Sequence, residues 1–223
     1  MKLNMSNLLL AFGLSIAAVN GQAATFQADI TINPSLYSSI SPVAPFFLDF
    51  QLNSGGDASS LVSNTVSLSN FTFWGAGSPG ATGSSNVSGN VSGDLSSTIS
   101  LTDNASNPYN EFFQSFSNGV KHIRFTIETT TAVNAPAPDV FTTAILDSSS
   151  GNPQIATTDP LTLSFISITL SDTVQTAAYS SIDTPASINA AISAVPEPSA
   201  ILMFGTACLS LLGVKFRNRR LTA

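Results

Sequence analysis

A two-residue hydrophobic rhythm constrains this chain more than any other feature. In Thr25-Phe26-Gln27-Ala28-Asp29-Ile30-Thr31-Ile32 apolar and polar residues alternate without a break, the period at which a pleated strand turns successive side chains to opposite faces. Phe46-Phe47-Leu48-Asp49-Phe50-Gln51-Leu52 puts Phe46, Leu48, Phe50 and Leu52 on one face, and the turn-forming Asn53-Ser54-Gly55-Gly56-Asp57 closes it. Val120 to Thr130 sets Ile123, Phe125 and Ile127 against His122, Arg124 and Glu128. Phe141 to Leu146 and Leu161 to Leu170 read as further strands, the last apolar on both faces, as a central strand is. The alternation of Val62, Val66 and Leu68 changes parity before Phe71 and Phe73, which predicts a bulge near Ser69-Asn70 or two strands meeting there.

Other segments carry less pattern. Gly75 to Asp94 is rich in Gly, Ser and Asn, and its Asn86 to Gly93 stretch doubles four residues, too briefly for a solenoid. Asp94 to Leu101 reads as a strand, while Phe112, Phe113 and Phe116 suit either a helical turn or a strand. Roughly seven to nine short strands, divided by Gly, Asn, Ser and Pro clusters and with no long amphipathic helix, predict an all-β chain. The expected architecture is an antiparallel β-sandwich or jelly-roll-like domain over residues 24–170. The Ala-, Ser- and Thr-rich stretch 171–194 is expected to be a linker to the C-terminal segment, with at most a strand at its start.

The two ends have a different character. Lys2, the apolar run Leu8 to Val19 and the small-residue site Gly21-Gln22-Ala23 form a secretory signal peptide over 1–23, cleaved after Ala23. At the other end Val195-Pro196-Glu197-Pro198 is followed by the apolar run Ala200 to Val214 and then by Lys215, Arg217, Arg219 and Arg220. As a helix that run spans roughly 22 Å at about 1.5 Å per residue, against a hydrocarbon core of roughly 30 Å. Snorkelling of the cations extends its reach, and they keep the C-terminus cytoplasmic as a membrane stop. Pro196 and Pro198 prevent helix from running back into the body, so Glu197 is presented on extended backbone that a processing enzyme can read.

This order of motif, short transmembrane helix and basic tail over 195–220 resembles the PEP-CTERM sorting signal. The resemblance implies export across the inner membrane, transient anchoring there and processing by exosortase, a membrane-embedded cysteine transpeptidase. The product would then reside at the cell surface or in the extracellular matrix. The body resembles a PEP-CTERM subgroup of unassigned function. That likeness rests on Phe47-Leu48-Asp49-Phe50-Gln51, Val66-Ser67-Leu68-Ser69-Asn70-Phe71, Phe112-Phe113-Gln114 and Thr157-Thr158-Asp159-Pro160, within a span from Phe26 to Leu170. It supplies no catalytic residue.

Charge and residue supply exclude several functions. Of seven lysines and arginines only Lys121 and Arg124 lie in the body, and of thirteen acids only Glu197 lies outside it. A body so acidic lacks the cations that neutralise phosphates, so nucleic acid is not an expected partner. The single cysteine, Cys208, sits in the apolar tail, so the body has neither a disulfide nor a thiol nucleophile. His122 is the only histidine, so His/Cys zinc sets cannot be built within one chain, and no Gly-x-Ser-x-Gly elbow accompanies it. Glu111 and Glu128 have no identifiable carboxylate partner in sequence for glycoside hydrolysis. Asn53, Asp57, Asp103 and Asn104 are oxygen donors of the kind calcium takes, but their spacing is not that of an EF-hand and turn formation explains them better.

No enzyme activity, metal or cofactor is therefore expected. The leading expectation is a non-catalytic protein of the envelope or of an exopolysaccharide-rich biofilm, with exosortase and transiently the inner membrane as partners. The alternative is a carbohydrate-binding module that uses Trp74 as a stacking platform, with Tyr37, Tyr109 or Tyr179. Against that, Trp74 serves equally to close one end of the core, the reading preferred from sequence.

Overall fold

The structure, a computed structural model, describes residues 23–39, 45–56, 63–75, 80–104, 106–130, 137–146, 155–171, 174–183 and 187–195. In chain order the elements are β1 (Ala24–Ile32), α1 (Ser35–Ser39), β2 (Phe46–Asn53), β3 (Thr65–Gly75), β4 (Ala81–Ser88), β5 (Val91–Ser92), β6 (Ile99–Thr102), β7 (Tyr109–Phe116), β8 (Val120–Thr129), β9 (Asp139–Leu146), β10 (Ile166–Leu170), β11 (Gln175–Ala178) and β12 (Ile188–Ala194). The strands form two sheets of six, ordered β12-β1-β8-β3-β6-β5 and β11-β10-β9-β2-β7-β4. The registered pairs are antiparallel, β1 on β8 and β2 between β7 and β9 among them. The expected all-β sandwich is what forms.

The alternation seen in sequence becomes the inner face of each sheet. Phe26, Ala28, Ile30 and Ile32 of β1 are buried, as are Ile123, Phe125 and Ile127 of β8, opposite Phe46, Leu48, Phe50 and Leu52 of β2. Phe50 lies at the centre. Its ring meets Phe125 of the facing sheet edge-on at 5.4 Å, Phe112 and Phe141 of the neighbouring strands at 6.1 and 6.2 Å, and Phe71 at 6.0 Å. Those spacings are within the range in which aromatic quadrupoles attract.

The predicted change of parity is a bulge. β3 pairs regularly with β8 up to Ser69↔Thr126 and resumes at Thr72↔Arg124. Asn70 stands at φ 55°, the left-handed region that asparagine tolerates better than most side chains. The extra residue returns Phe71 and Phe73 to the core side and sends Trp74 outward.

Two expectations are corrected. Residues 171–194 are not merely a linker: they carry β11 and β12, which add an outer strand to each sheet, and Ile188 is fully buried. Their small residues suit edge positions, where one neighbouring strand suffices and little bulk is needed. The strand predicted over Leu161 to Leu170 begins only at Ile166, because the donors of residues 161–164 close a turn on Asp159. The Gly- and Ser-rich stretch after Gly75 contains β4, whose exposed small polar residues make a poor template for edge-to-edge pairing.

Candidate functional site

The outer faces of the two sheets differ in chemistry. On the β1–β8–β3 face, register sets Asp29 opposite Arg124, Thr31 opposite His122 and Trp74 opposite His122. Asp29 Oδ1 accepts from Arg124 Nε at 2.7 Å and lies 2.8 Å from His122 Nε2. The His122 imidazole stacks on the Trp74 indole at 4.8 Å and 20°, and the Arg124 guanidinium carbon lies 5.6 Å from the indole centroid. Trp74 is 42 % exposed. It therefore does not close the core, as preferred from sequence; the Asn70 bulge turns it to the outside, where it heads an aromatic and polar platform.

The tyrosines considered with it lie elsewhere. Tyr37 packs edge-on against Phe46, and its hydroxyl donates to the Val120 carbonyl at 2.5 Å, so it is a structural residue. Tyr109 stands on β7 of the other sheet, and Tyr179 directly follows β11.

That second sheet has a cleft on its outer face of about 390 Å³, whose walls include Asp49, Gln51, Thr142, Ala144, Leu163 and Tyr179. Register explains its floor. The row Glu111–Gln51–Thr142–Ser167 runs across β7, β2, β9 and β10, and the next row sets Asp49 between Phe113 and Ala144. Gln51 Nε2 donates to Asp49 Oδ2 at 2.8 Å and to Glu111 Oε1 at 3.2 Å, tying the two acids together. Thus Glu111, without an identifiable partner in sequence, has one in space.

Asp49 is 2 % exposed, and its Oδ1 has no hydrogen-bond partner. Burial pushes its carboxyl up to about 7; nearby Glu111 adds to the rise and Gln51 opposes it. The rim is a turn organised by Asp159, which accepts from Leu161 N at 2.9 Å, from Ser164 Oγ at 2.5 Å and from Thr162 Oγ1. Burial opposes ionisation of Asp159, but the Ser164 and Thr162 donors outweigh it and hold the carboxyl below the usual range. The segments Phe47 to Gln51 and Thr157 to Pro160, unconnected in sequence, thus meet around one hollow. An acid inside the nearly continuous apolar run Phe46 to Phe50 was the one sequence signal that could have pointed to it.

The oxygen donors weighed for calcium do not converge. Asp103 is buried, with Oδ1 accepting from Asn64 N at 2.5 Å, and Asn64 Nδ2 donates to Asp139. Burial raises the Asp103 carboxyl; Asn64 N–H opposes this and neighbouring Asp139 reinforces it. Asn104 is occupied by turn contacts to Ser106 and Asn107, and Asn53 lines the cleft instead. Asp57 lies outside the described residues. Among those residues no group of three or more His, Cys, Asp or Glu is arranged to hold a metal.

Of the terminal signals, Ala23 and Val195 are described and both are exposed; Pro196, Glu197, Pro198, Lys215, Arg217, Arg219 and Arg220 lie outside the described residues, as does the signal peptide before Ala23. No helix among the described residues is long and apolar enough to cross a membrane.

Fold and surface define a two-sheet β-sandwich domain whose last strand leads directly into the C-terminal segment. The family model for the PEP-CTERM protein-sorting motif matches residues 194–220. The chain therefore carries a PEP-CTERM protein-sorting motif at 194–220, which indicates export and exosortase processing. No curated protein and no solved structure matches it.

Proposed function

We propose that the chain is a non-catalytic surface or extracellular-matrix protein, delivered by exosortase to the envelope or to an exopolysaccharide-rich matrix. The observation that carries this reading is the sorting motif at 194–220, which follows the sandwich in the sequence. In keeping with a non-catalytic role, His122 is held between the Asp29 carboxylate and the Trp74 indole. The predicted result is that cells without exosortase retain a longer form in the membrane fraction, while cells with it yield a shorter product at the surface or in the medium. Identical mass and location in both strains, by mass spectrometry of fractions, would refute the reading.

The exposed indole of Trp74, beside the hydrogen-bonding groups of Arg124 and His122, favours a second reading as a carbohydrate-binding module. Stacking of a sugar on this platform would perturb its fluorescence, and Trp74 is the only tryptophan of the chain.

A further inference from the structure

We propose that the cleft on the outer face of the β11–β10–β9–β2–β7–β4 sheet, floored by Asp49, is a binding site for a saccharide unit without negative charge. It is distinct from the Trp74 platform on the opposite face.

Volume, an unpaired oxygen, wall chemistry and charge support this. The hollow, about 390 Å³, falls at the lower end of the roughly 300–1,000 Å³ typical of small-molecule sites. Asp49 Oδ1 is a buried oxygen without a partner in a residue that lines the cleft. A buried polar atom left unpaired is costly, and a ligand hydroxyl or amine can offset that cost by supplying the missing hydrogen bond.

The walls mix hydrogen-bonding and aliphatic groups, the two kinds of surface a sugar ring presents. Thr142, Ser167 and Thr169 offer hydroxyls and Gln51 an amide, while Val140 and Leu163 offer aliphatic surface to the C–H face of a ring. Tyr179 adds an aromatic edge.

Charge selects among sugars. Asp49 and Asp159 line the cleft and Glu111 flanks it through Gln51. Of the body's two cationic side chains, Lys121 and Arg124, both belong to β8 of the other sheet. A uronate, sulfate or phosphate would thus meet carboxylates with no counter-charge, whereas a neutral hexose or a cationic amino-hexose would not. These last two share the required hydroxyl-bearing ring, and the unpaired Asp49 oxygen can serve either.

The proposal takes nothing from the sorting reading except the general setting. The test is calorimetric titration of the purified full chain with three oligosaccharides: neutral hexose, amino-hexose and uronate. We expect one or both of the first two to bind and the uronate not to bind. Binding should weaken at least about tenfold in Ala144→Phe, which fills the hollow, and in Asp49→Asn, which changes its floor. Trp74→Ala should leave the affinity unchanged, and binding to wild type should leave indole emission unchanged. Circular dichroism melts confirm that each variant is folded; if Ala144→Phe does not fold, Thr142→Phe fills the same hollow.

Among neutral and amino sugars, preference for the amine would identify Asp49 as a charge partner, and equal affinity would identify it as a hydrogen-bond partner. Preference for the uronate, loss only in Trp74→Ala, or no binding of any of the three would overturn the site. Hydrolysis abolished by Asp49→Asn would support the site and overturn the non-catalytic reading instead.

Discussion

Phe50 shows how much one residue of this sandwich carries. It is fully buried and touches aromatic rings from β7, β8, β9 and the bulged part of β3. Removing it leaves a cavity between two sheets that their hydrogen-bonded ladders prevent from collapsing. Phe50→Ala should therefore cost about 3–5 kcal/mol, whereas Val87→Ala, on exposed β4, should stay within about 0.5 kcal/mol. Urea denaturation of the two variants checks the contrast. Its position at the middle of an alternating strand made Phe50 readable from sequence. Asp49, one residue away, was not readable in the same way, because its significance comes from Ala144, Glu111 and the Asp159 turn, which other strands and loops supply.

At the scale of elements, the β3 bulge links a local backbone choice to a surface property. Asn70 holds a left-handed φ, and the residues after it keep Phe71 and Phe73 on the core while exposing Trp74. Asn70→Gly should leave stability within a few tenths of a kcal/mol, while Asn70→Val should cost about 1–2 kcal/mol because a β-branched side chain clashes in that conformation. The melting-temperature difference between the two variants should be roughly 2–8 °C for a domain of this size. This bulge was legible because a strand with one face on a core reveals any slip of parity. β11 and β12 were not, since sequences such as Gln175 to Ala178 hold too little apolar contrast to show a period. Their strand state depends on β10 and β1 being beside them.

Across the whole molecule, buried acids impose a pH dependence on stability. Asp49 is raised from 3.8 to about 7 and Asp103 is also raised, so the folded protein binds more protons than the unfolded chain over that interval. Their contribution is complete below about pH 4 and is lost as pH rises through about 7. Asp183, lowered to about 2 by Ser181 and Ser187, acts in the opposite sense and loses its contribution as pH falls through that value. The melting temperature should therefore be highest near pH 4 and decline as pH rises through about 7. Asp49→Asn should remove much of that decline, and thermal melts at a series of pH values measure it. A slope unchanged by the substitution would show that Asp49 is not the titrating group. What the sequence alone determined were features carried by a run of neighbouring residues: the faces of β1, β2 and β8, set by the two-residue pleat, the slip of parity in β3, and the sorting motif read by linear order. What only the tertiary structure decided was which strands lie side by side. That arrangement hydrogen-bonds Gln51 to both Asp49 and Glu111, turns Trp74 outward over His122 and lays the Asp159 turn along a cleft, because cross-strand neighbours are chosen by the burial of two whole faces rather than by any one segment.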